Sequence, residues 1–365
     1  MNQHKIYMSE ETAINAVRSY PARNIKFFGG EPLLRYRTIE RVVDFANSFY
    51  KDNGWNGPTF SIVTNGSLIT PEVAAFLKRN SFQVLVSMDG PKDVTDLQRP
   101  AINGVSSYDT SIRGIQNLKD HEVIFSIQAT YTNNHIRMGY SVTDIANYIV
   151  GLGAYRAQVE PVFGQPADGF AGSYLLSQNQ IEQVAREFKE FAVKSLDSMI
   201  SGTPLRSAYV YSAIKALYVG RSISHSCAAA ISSLTVDSLG RVYPCYFLLQ
   251  DDFYMGNVIR AAGQQLTQSK EYRSVQRRFL KRERSSIMQC EGCWARRFCN
   301  PCYGMEQSGF KSLYTEGDIP EIYCAVMRAT IEGTISKLVE IRRNPQAWTK
   351  LIAALDEDAK HHNRF

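Results

Sequence analysis

The first 165 residues switch repeatedly between two hydrophobic periods. Five short apolar runs, at 24–30, 59–66, 82–90, 123–132 and 155–164, read as strands. Between them, apolar residues recur every three or four positions, the spacing of one helix face. Ahead of the first run, Ser9 caps a helix that carries Ala13, Val17 and Tyr20 on one side. "YRTIERVVDFANSFYK" follows the first strand. "TPEVAAFLKRN" follows the second, with Thr70 as cap and Pro71 at the first helical position. "SYDTSIRGIQNLKDH" and "VTDIANYIVGLG" complete the series. This alternation predicts an α/β fold on a parallel sheet, open or barrel-like. Three strands end in glycine-bearing turns, "FFGGEP", "VTNG" and "SMDGP". Loops at the carboxyl ends of parallel strands are where such folds bind ligands. The series opens on a helix, so its first strand is expected upstream of Met1.

The pattern changes after Gly164. Residues 177–200 open with a capping box, Ser177 with Gln180, and run on as one amphipathic helix. "LRSAYVYSAIKALYVG" continues helical, and "SSLTVDSLGRVYPCYFLL" (232–249) reads as a β-hairpin about Asp237–Gly240. All seven cysteines lie from 227 onward. The expected organisation is 1–165 as a partial barrel, 166–226 as a helical linker, 227–330 as a metal-bearing module, and 331–365 as a C-terminal helix and tail.

Composition narrows the classes. With 365 residues, 44% hydrophobic and 21% charged, the chain is expected to be globular with a substantial core. "MNQHKIYMSEE" has no apolar h-region and no run of about 18 apolar residues occurs, so neither a secretory signal nor a membrane span is expected. The expected compartment is the cytoplasm, where thiols stay reduced and clustered cysteines usually bind metal. Net charge is +6; the basic run Arg277–Arg284 reads as a solvated helix face, with no nucleic-acid partner expected.

The seven cysteines are Cys227, Cys245, Cys290, Cys293, Cys299, Cys302 and Cys324, and the dense part is C-x2-C-x5-C-x2-C. Four thiolates in one short loop wrap either a zinc ion or an iron–sulfur cluster. A zinc ribbon separates its two knuckles by a longer gap than five residues, and one zinc site strands three cysteines. Two clusters with four thiolates each would need one more cysteine than is present, which fits one cluster with an open iron site. Surplus structural cysteines are the third reading.

The arrangement Cys227-x12-Gly240-x4-Cys245, then Cys290-x2-Cys293-x5-Cys299-x2-Cys302, then Cys324, resembles the SPASM domain of radical SAM peptide maturases. The family has about three residues between the last two clustered cysteines, where this chain has two. The resemblance covers about residues 8 to 340 and implies a (β/α)6 TIM-like radical SAM barrel, missing its first strand, followed by the Cys-rich domain. It implies two auxiliary [4Fe–4S] clusters. Cluster I would take Cys227, Cys245 and Cys302; cluster II would take Cys290, Cys293, Cys299 and Cys324. Some relatives carry an eighth cysteine where Arg221 stands, so the open site is expected on cluster I.

The same resemblance gives "FFGGEP" a role. Gly29, Gly30, Glu31 and Pro32 match the turn that binds the methionine amino group of S-adenosylmethionine (SAM); glycines let backbone approach a ligand, and a carboxylate pairs with an ammonium. Ser87 and Arg99 are implied at the SAM ribose and carboxylate, Thr64 and Asn65 at the same mouth, and Glu160, Pro161 and Val162 beside the adenine. Radical SAM enzymes also carry a C-x3-C-x2-C loop for the cluster that cleaves SAM. No cysteine here precedes Cys227, so that cluster is expected only in a longer form, and a degenerate, non-catalytic relative is the alternative. The implied activity is hydrogen abstraction by a 5′-deoxyadenosyl radical from a precursor peptide or small protein. The product is an oxidised residue, a thioether or a carbon cross-link, with flavodoxin or ferredoxin as electron donor. Sulfatase maturases place an aspartate after the second SPASM cysteine; Tyr246 stands there, which weakens formylglycine formation. Tyr246 is either a proton or electron relay or a packed hairpin aromatic. An iron–sulfur scaffold or peptide-binding partner is the rival from another class, and a zinc-stabilised barrel without redox chemistry a third.

Overall fold

A computed structural model describes residues 7–101, 104–162, 174–202, 205–219, 227–260, 265–281, 287–299, 302, 304 and 319–362. Arg221 and the end of the basic run, 282–284, lie outside the described residues. In chain order the first elements are α1 (Glu10–Ser19), β1 (Asn24–Phe27), α2 (Tyr36–Asp52), β2 (Thr59–Thr64), α3 (Pro71–Arg79), β3 (Gln83–Ser87), α4 (Lys92–Gln98) and α5 (Ser107–Asp120). Then come β4 (Phe125–Tyr131), α6 (Asn133–Arg137), α7 (Val142–Gly151), β5 (Arg156–Pro161), α8 (Gln178–Ser201) and α9 (Ala208–Val219). The remainder holds β6 (Thr235–Val236), β7 (Arg241–Tyr243), β8 (Gly256–Asn257), α10 (Gln265–Gln268), α11 (Lys270–Lys281), α12 (Met288–Glu291), α13 (Glu321–Arg342) and α14 (Pro345–His362).

The five expected strands form one parallel sheet in the order β1-β2-β3-β4-β5. Sequential order with helical crossovers is the simplest way to join parallel neighbours, because each return needs a crossover of a dozen or so residues. Val86 pairs with Ile127, and Thr130 with Glu160. The first three strands end before their apolar runs do, because the glycine-bearing turns after Phe27, Thr64 and Ser87 leave the ladder; β4 begins two residues into its run.

The chain divides into two compact units. The first comprises Met1–Ser61, Ser224–Cys293 and Asn300–Phe310. Its entry is fixed locally: Ser9 Oγ accepts the Thr12 N–H at 3.1 Å, and α2 buries Ile39, Val42, Val43, Ala46 and Tyr50 on one stripe. The expected hairpin is β6–β7, antiparallel, with Val236 opposite Val242, and β8 adds a third strand beside Arg241 and Val242. Asp237 Oδ1 accepts the Leu239 and Arg241 N–H groups, both at 2.9 Å, which closes the turn. Val242, Tyr243, Leu248, Met255 and Val258 form its core with Tyr272, Val275 and Phe279 of α11.

The second unit comprises Ile62–Ile223, Trp294–Cys299 and Lys311–Phe365. Ile62, Val86, Ile127, Tyr131 and Ile145 are fully buried among strands and helices. The capping box on Ser177 starts α8 as the sequence indicates. Gly333 of α13 faces α8 so closely that an added Cβ would stand 2.6 Å from the Lys189 carbonyl. At the amino end of β5, the buried Asp358 of α14 accepts from Tyr155 Oη at 2.7 Å and from Arg206 Nε at 2.6 Å. The Arg206 guanidinium also lies over the Tyr155 ring, 4.1 Å from its centroid. Burial and the Asp358 carboxylate push the Tyr155 hydroxyl up to about 12.

Candidate functional site

In the second unit, the strand ends are built as rigid turns. Past β2, Thr64 Oγ1 accepts the Gly66 N–H at 3.1 Å, and Asn65 Oδ1 accepts the Ser67 N–H at 2.9 Å. Ser111 of α5 donates to the Asn65 carbonyl at 2.7 Å. Past β5, the Val162 N–H donates to the Tyr131 carbonyl at 2.8 Å, and half-buried Glu160 sits in register with Thr130. Thr64, Asn65, Ser87, Glu160 and Val162 thus all lie at carboxyl ends of strands of the parallel sheet.

The turn after β3 is the most heavily tied. Ser87 ends the strand, half-buried, and the Met88 N–H donates to the Gln128 carbonyl at 3.0 Å. Asp89 is buried; its Oδ1 accepts the Thr130 N–H at 2.9 Å, and its two oxygens take the Arg99 fork at 2.9 and 2.8 Å. A bidentate fork of this kind fixes the guanidinium plane. Two of the five Arg99 N–H donors therefore go to Asp89, a partner the sequence did not single out. Gly90 adopts φ +132°, and an added Cβ would meet Ile145 Cδ1 at 2.8 Å, so a side chain is excluded twice over.

His135 is the second residue that sequence reasoning missed. It is fully buried, with its ring stacked on Tyr131 at 4.8 Å between centroids. The Thr132 N–H donates to Nδ1 at 3.0 Å, so the neutral ring carries its proton on Nε2, which donates to the Asp89 carbonyl at 2.8 Å. Burial holds its pKa below the ordinary 6.5. The one sequence signal was its place three residues after the helix cap Thr132, where its side chain closes a capping box.

In the first unit, Gly29–Gly30–Glu31–Pro32 follows β1. Gly29 has φ +150°, and an added Cβ at Gly29 or Gly30 would meet no atom of the described residues within 4 Å. The backbone there is open to a ligand. Glu31 Oε1 accepts the Leu33 N–H at 3.1 Å and caps the short 3-10 turn that Pro32 begins. A cavity of about 380 Å³ lies between α1, β1 and the hairpin, bordered by Ala16, Val17, Phe27, Val236, Cys245 and Tyr246. Phe28 packs on Tyr246 at 4.8 Å, and Tyr246 on Phe247 at 4.5 Å. Phe28 and Tyr246 are both about half exposed, 49% each.

All seven cysteines are free thiols and half-buried. Cys227, Cys245 and Cys302 belong to the first unit and lie close enough for the other two to act on the Cys245 charge. Burial, helped by these two sulfurs, pushes the Cys245 thiol up to about 11. The Phe247 and Leu248 amides favour the Cys245 thiolate against this trend, the Leu248 N–H itself donating to the Cys245 carbonyl at 3.1 Å, and the Ala229 N–H donates to Cys227 Sγ at 3.4 Å. Amide donors aimed at sulfur are one of the means by which proteins tune iron–sulfur clusters. Cys290 and Cys293 also lie in the first unit, at α12 and just past it; Cys299 and Cys324 lie in the second, Cys324 in the first turn of α13. Among the described residues, no three His, Cys, Asp or Glu side chains stand at the spacing of a single-ion site. A tetrahedral zinc with sulfur at about 2.3 Å draws its thiolates nearly into contact; a four-iron cube spreads them further apart.

Comparison with known proteins separates the strand–helix region from the cysteine-bearing region. The family model described as Radical SAM superfamily matches residues 2–134, and the SPASM model, an iron–sulfur cluster-binding domain, matches residues 227–294. The chain is 31% identical over 129 residues to the uncharacterized protein MJ0907 of Methanocaldococcus jannaschii, covering 35% of this chain and 43% of that one. It is 24% identical over 329 residues to the cysteine-type anaerobic sulfatase-maturating enzyme of Clostridium perfringens strain 13, covering 87% and 83%. It is 32% identical over 157 residues to the radical SAM cyclopropyl synthase TigE of Paramaledivibacter caminithermalis, covering 38% and 32%. The chain thus spans less than half the length of two of these three relatives. The fold matches solved anSMEcpe with bound AdoMet at TM-score 0.76 and 21% identity, over 96% of this chain and 91% of that one. The same protein with AdoMet and the Kp18Cys peptide matches at TM-score 0.74. An α/β parallel sheet, a region matching the Radical SAM superfamily and a cysteine-bearing region matching the SPASM iron–sulfur cluster-binding domain thus follow one another in this chain, the arrangement in which it resembles radical SAM/SPASM proteins.

Proposed function

We propose that the chain modifies a ribosomally made peptide, by oxidation or by forming a thioether or carbon cross-link, as a radical SAM/SPASM enzyme. The observation that carries this is the grouping of Cys227, Cys245 and Cys302, with the Ala229 N–H on the Cys227 sulfur, beside the half-exposed Tyr246. The donor set fits a cluster: three half-buried thiols face one another at more than single-ion spacing, burial keeps Cys245 from ionising on its own, and bound iron offsets the repulsion of three thiolates. Cys227, Cys245 and Cys302, all of the first unit, would hold auxiliary cluster I. When bound, such clusters supply an acceptor for one electron or an iron that binds a substrate thiolate.

The groups proposed for SAM also fit, each on its own unit. In the first unit, the open Gly29–Gly30 backbone and the Glu31 carboxylate suit the methionine ammonium, with Pro32 setting the turn. In the second, Ser87, the Arg99 fork set by Asp89, Thr64, Asn65, Glu160 and Val162 present hydroxyl, guanidinium and backbone groups to a ribose, carboxylate and adenine. When bound, SAM with its own cluster supplies the radical chemistry that breaks a C–H bond. The Phe28–Tyr246 edge offers an apolar and hydroxyl-bearing surface to a peptide side chain. The electron donor is proposed to be a flavodoxin or ferredoxin. Among the described residues, no helix is long and apolar enough to cross a membrane, and the proposed setting is the cytoplasm.

Two further readings each rest on a specific observation. A non-catalytic iron–sulfur scaffold rests on the grouping of Cys227, Cys245 and Cys302 alone, which can hold a cluster without chemistry on SAM. Formylglycine formation is favoured by the sulfatase-maturating relative and disfavoured by Tyr246 in place of an acid. Anoxic reconstitution followed by iron and acid-labile sulfide determination tests the clusters. 5′-Deoxyadenosine release on adding SAM and reductant separates catalyst from scaffold. Zinc without sulfide overturns the cluster reading.

A further inference from the structure

The turn after β3 is held from three elements at one residue. Asp89 receives the Thr130 N–H of β4 and the Arg99 fork at the end of α4 on its side chain, and His135 of α6 on its carbonyl. Gly90 adds a fourth tie, its carbonyl accepting Thr95 Oγ1 at 2.8 Å. Three of these ties involve no imidazole. The His135 bond depends on which nitrogen bears the proton. Nδ1 must accept from the Thr132 N–H for Nε2–H to point at the Asp89 carbonyl. A second proton would set Nδ1–H against Thr132 N–H, donor against donor, and would place a cation in a fully buried site.

The charged and titratable groups around the ring are identifiable. Asp93 of α4 and Asp89 favour the protonated ring, but the Asp89 charge is already paired with Arg99. The stacked Tyr131 directs its hydroxyl at Glu187 of α8, 2.9 Å away, and at the Tyr140 carbonyl. Tyr140 donates its N–H to the His135 carbonyl at 2.9 Å and its hydroxyl to Asp93 at 3.1 Å. The acceptor within reach of an Nδ1–H is Thr132 Oγ1, 3.5 Å away, which already accepts the Asn134 N–H at 3.1 Å and donates to Gln98 Oε1; so long a contact is a poor replacement for the 3.0 Å bond from the Thr132 N–H.

We propose that His135 is a positioning residue for the Ser87–Gly90 turn, which it holds only as the neutral Nε2–H tautomer, so that mild acid releases the turn and with it the grip of this mouth on a sulfonium nucleotide. The nucleotide half rests on the SAM reading above; the turn half rests on the geometry alone.

The test uses the full chain, wild type and His135→Gln. Glutamine can accept from Thr132 N–H through Oε1 and donate to the Asp89 carbonyl through Nε2, and it does not titrate. Hydrogen exchange of the peptide covering 87–90 is followed from about pH 8 to about pH 5 as protection factors, with equilibrium dialysis of labelled SAM in parallel. The wild-type turn loses about tenfold in protection below the histidine range, and SAM affinity falls with it, while His135→Gln holds both constant. Unchanged wild-type protection, or a parallel fall in both proteins, overturns the proposal. A wild-type turn that opens with acid while SAM fails to bind at every pH sinks the nucleotide reading and leaves the role of His135 standing. A 15N titration of the wild-type imidazole gives a check that needs no variant. Ring protonation and turn opening share one midpoint if the proposal holds, and separate midpoints overturn it.

Discussion

At the scale of single residues, Cys245 and two glycines carry separable roles. Cys245 sits near Cys227 and Cys302, with the Phe247 and Leu248 amides favouring its thiolate. Cys245→Ala is expected to lower iron and sulfide by about four atoms each per reconstituted chain, the content of one cube. An unchanged iron content would show that this thiol is no ligand. Gly90 and Gly30 look alike in sequence but differ in surroundings. Gly90→Ala forces φ +132° on an L-residue and presses on Ile145, so it should cost about 2 kcal/mol by denaturant titration. Gly30→Ala meets open space, so stability should stay within about 0.5 kcal/mol of wild type. Its SAM affinity should nevertheless drop, because the methyl group occupies the approach to the backbone. Equal SAM affinity in Gly30→Ala would count against the proposed ammonium site. Asp89 shows where reading residues from sequence stops. It looked like a turn former, which it is, but its grip on Arg99 depends on distances across the sheet end that no local spacing encodes.

At the scale of elements, the sequence was legible wherever a period and a cap coincided. Thr70 with Pro71, and Ser177 with Gln180, start helices where the pattern places them. The short α4 and α6 and the two-residue β8 went unread, because seven, five and two residues are too few to show a period. The anchoring of α14 was equally hidden, since Tyr155, Arg206 and Asp358 lie far apart in the chain. Removing the carboxylate with Asp358→Ala leaves Arg206 without its buried partner and should destabilise the second unit by about 3–5 kcal/mol. Tyr155→Phe deletes one hydrogen bond and should cost about 1 kcal/mol. The pH dependence has a definite sign. The folded-state pKa of Tyr155 is raised, so its contribution is complete below the ordinary value of 10.0 and is lost as pH rises through about 12. Melting temperature should therefore fall more steeply with alkali in wild type than in Tyr155→Phe. Matching alkaline slopes would mean that this hydroxyl does not titrate against Asp358.

At the scale of the whole molecule, each unit owns a core, and only the first contains Cys227, Cys245 and Cys302. Cys227 and Cys245 pack against the first unit's core, so bound metal and that core share residues. A ligand that binds the folded state alone raises the free energy of unfolding of the unit it binds. Calorimetry of the metal-free chain should resolve two transitions, since each unit has its own buried interior. Anoxic loading with iron and sulfide should move the first unit's transition upward, and chelation should bring it back. The transitions can be assigned independently of metal: Asp358→Ala should lower only the second unit's. In Cys245→Ala the upward shift should shrink while the metal-free transition stays near wild type, because the thiol matters to this core chiefly as a ligand. If loading leaves both transitions where they were, the thiols around Cys245 hold nothing that matters to the fold. The three sulfurs would then be ordinary half-buried cysteines that happen to adjoin a hairpin.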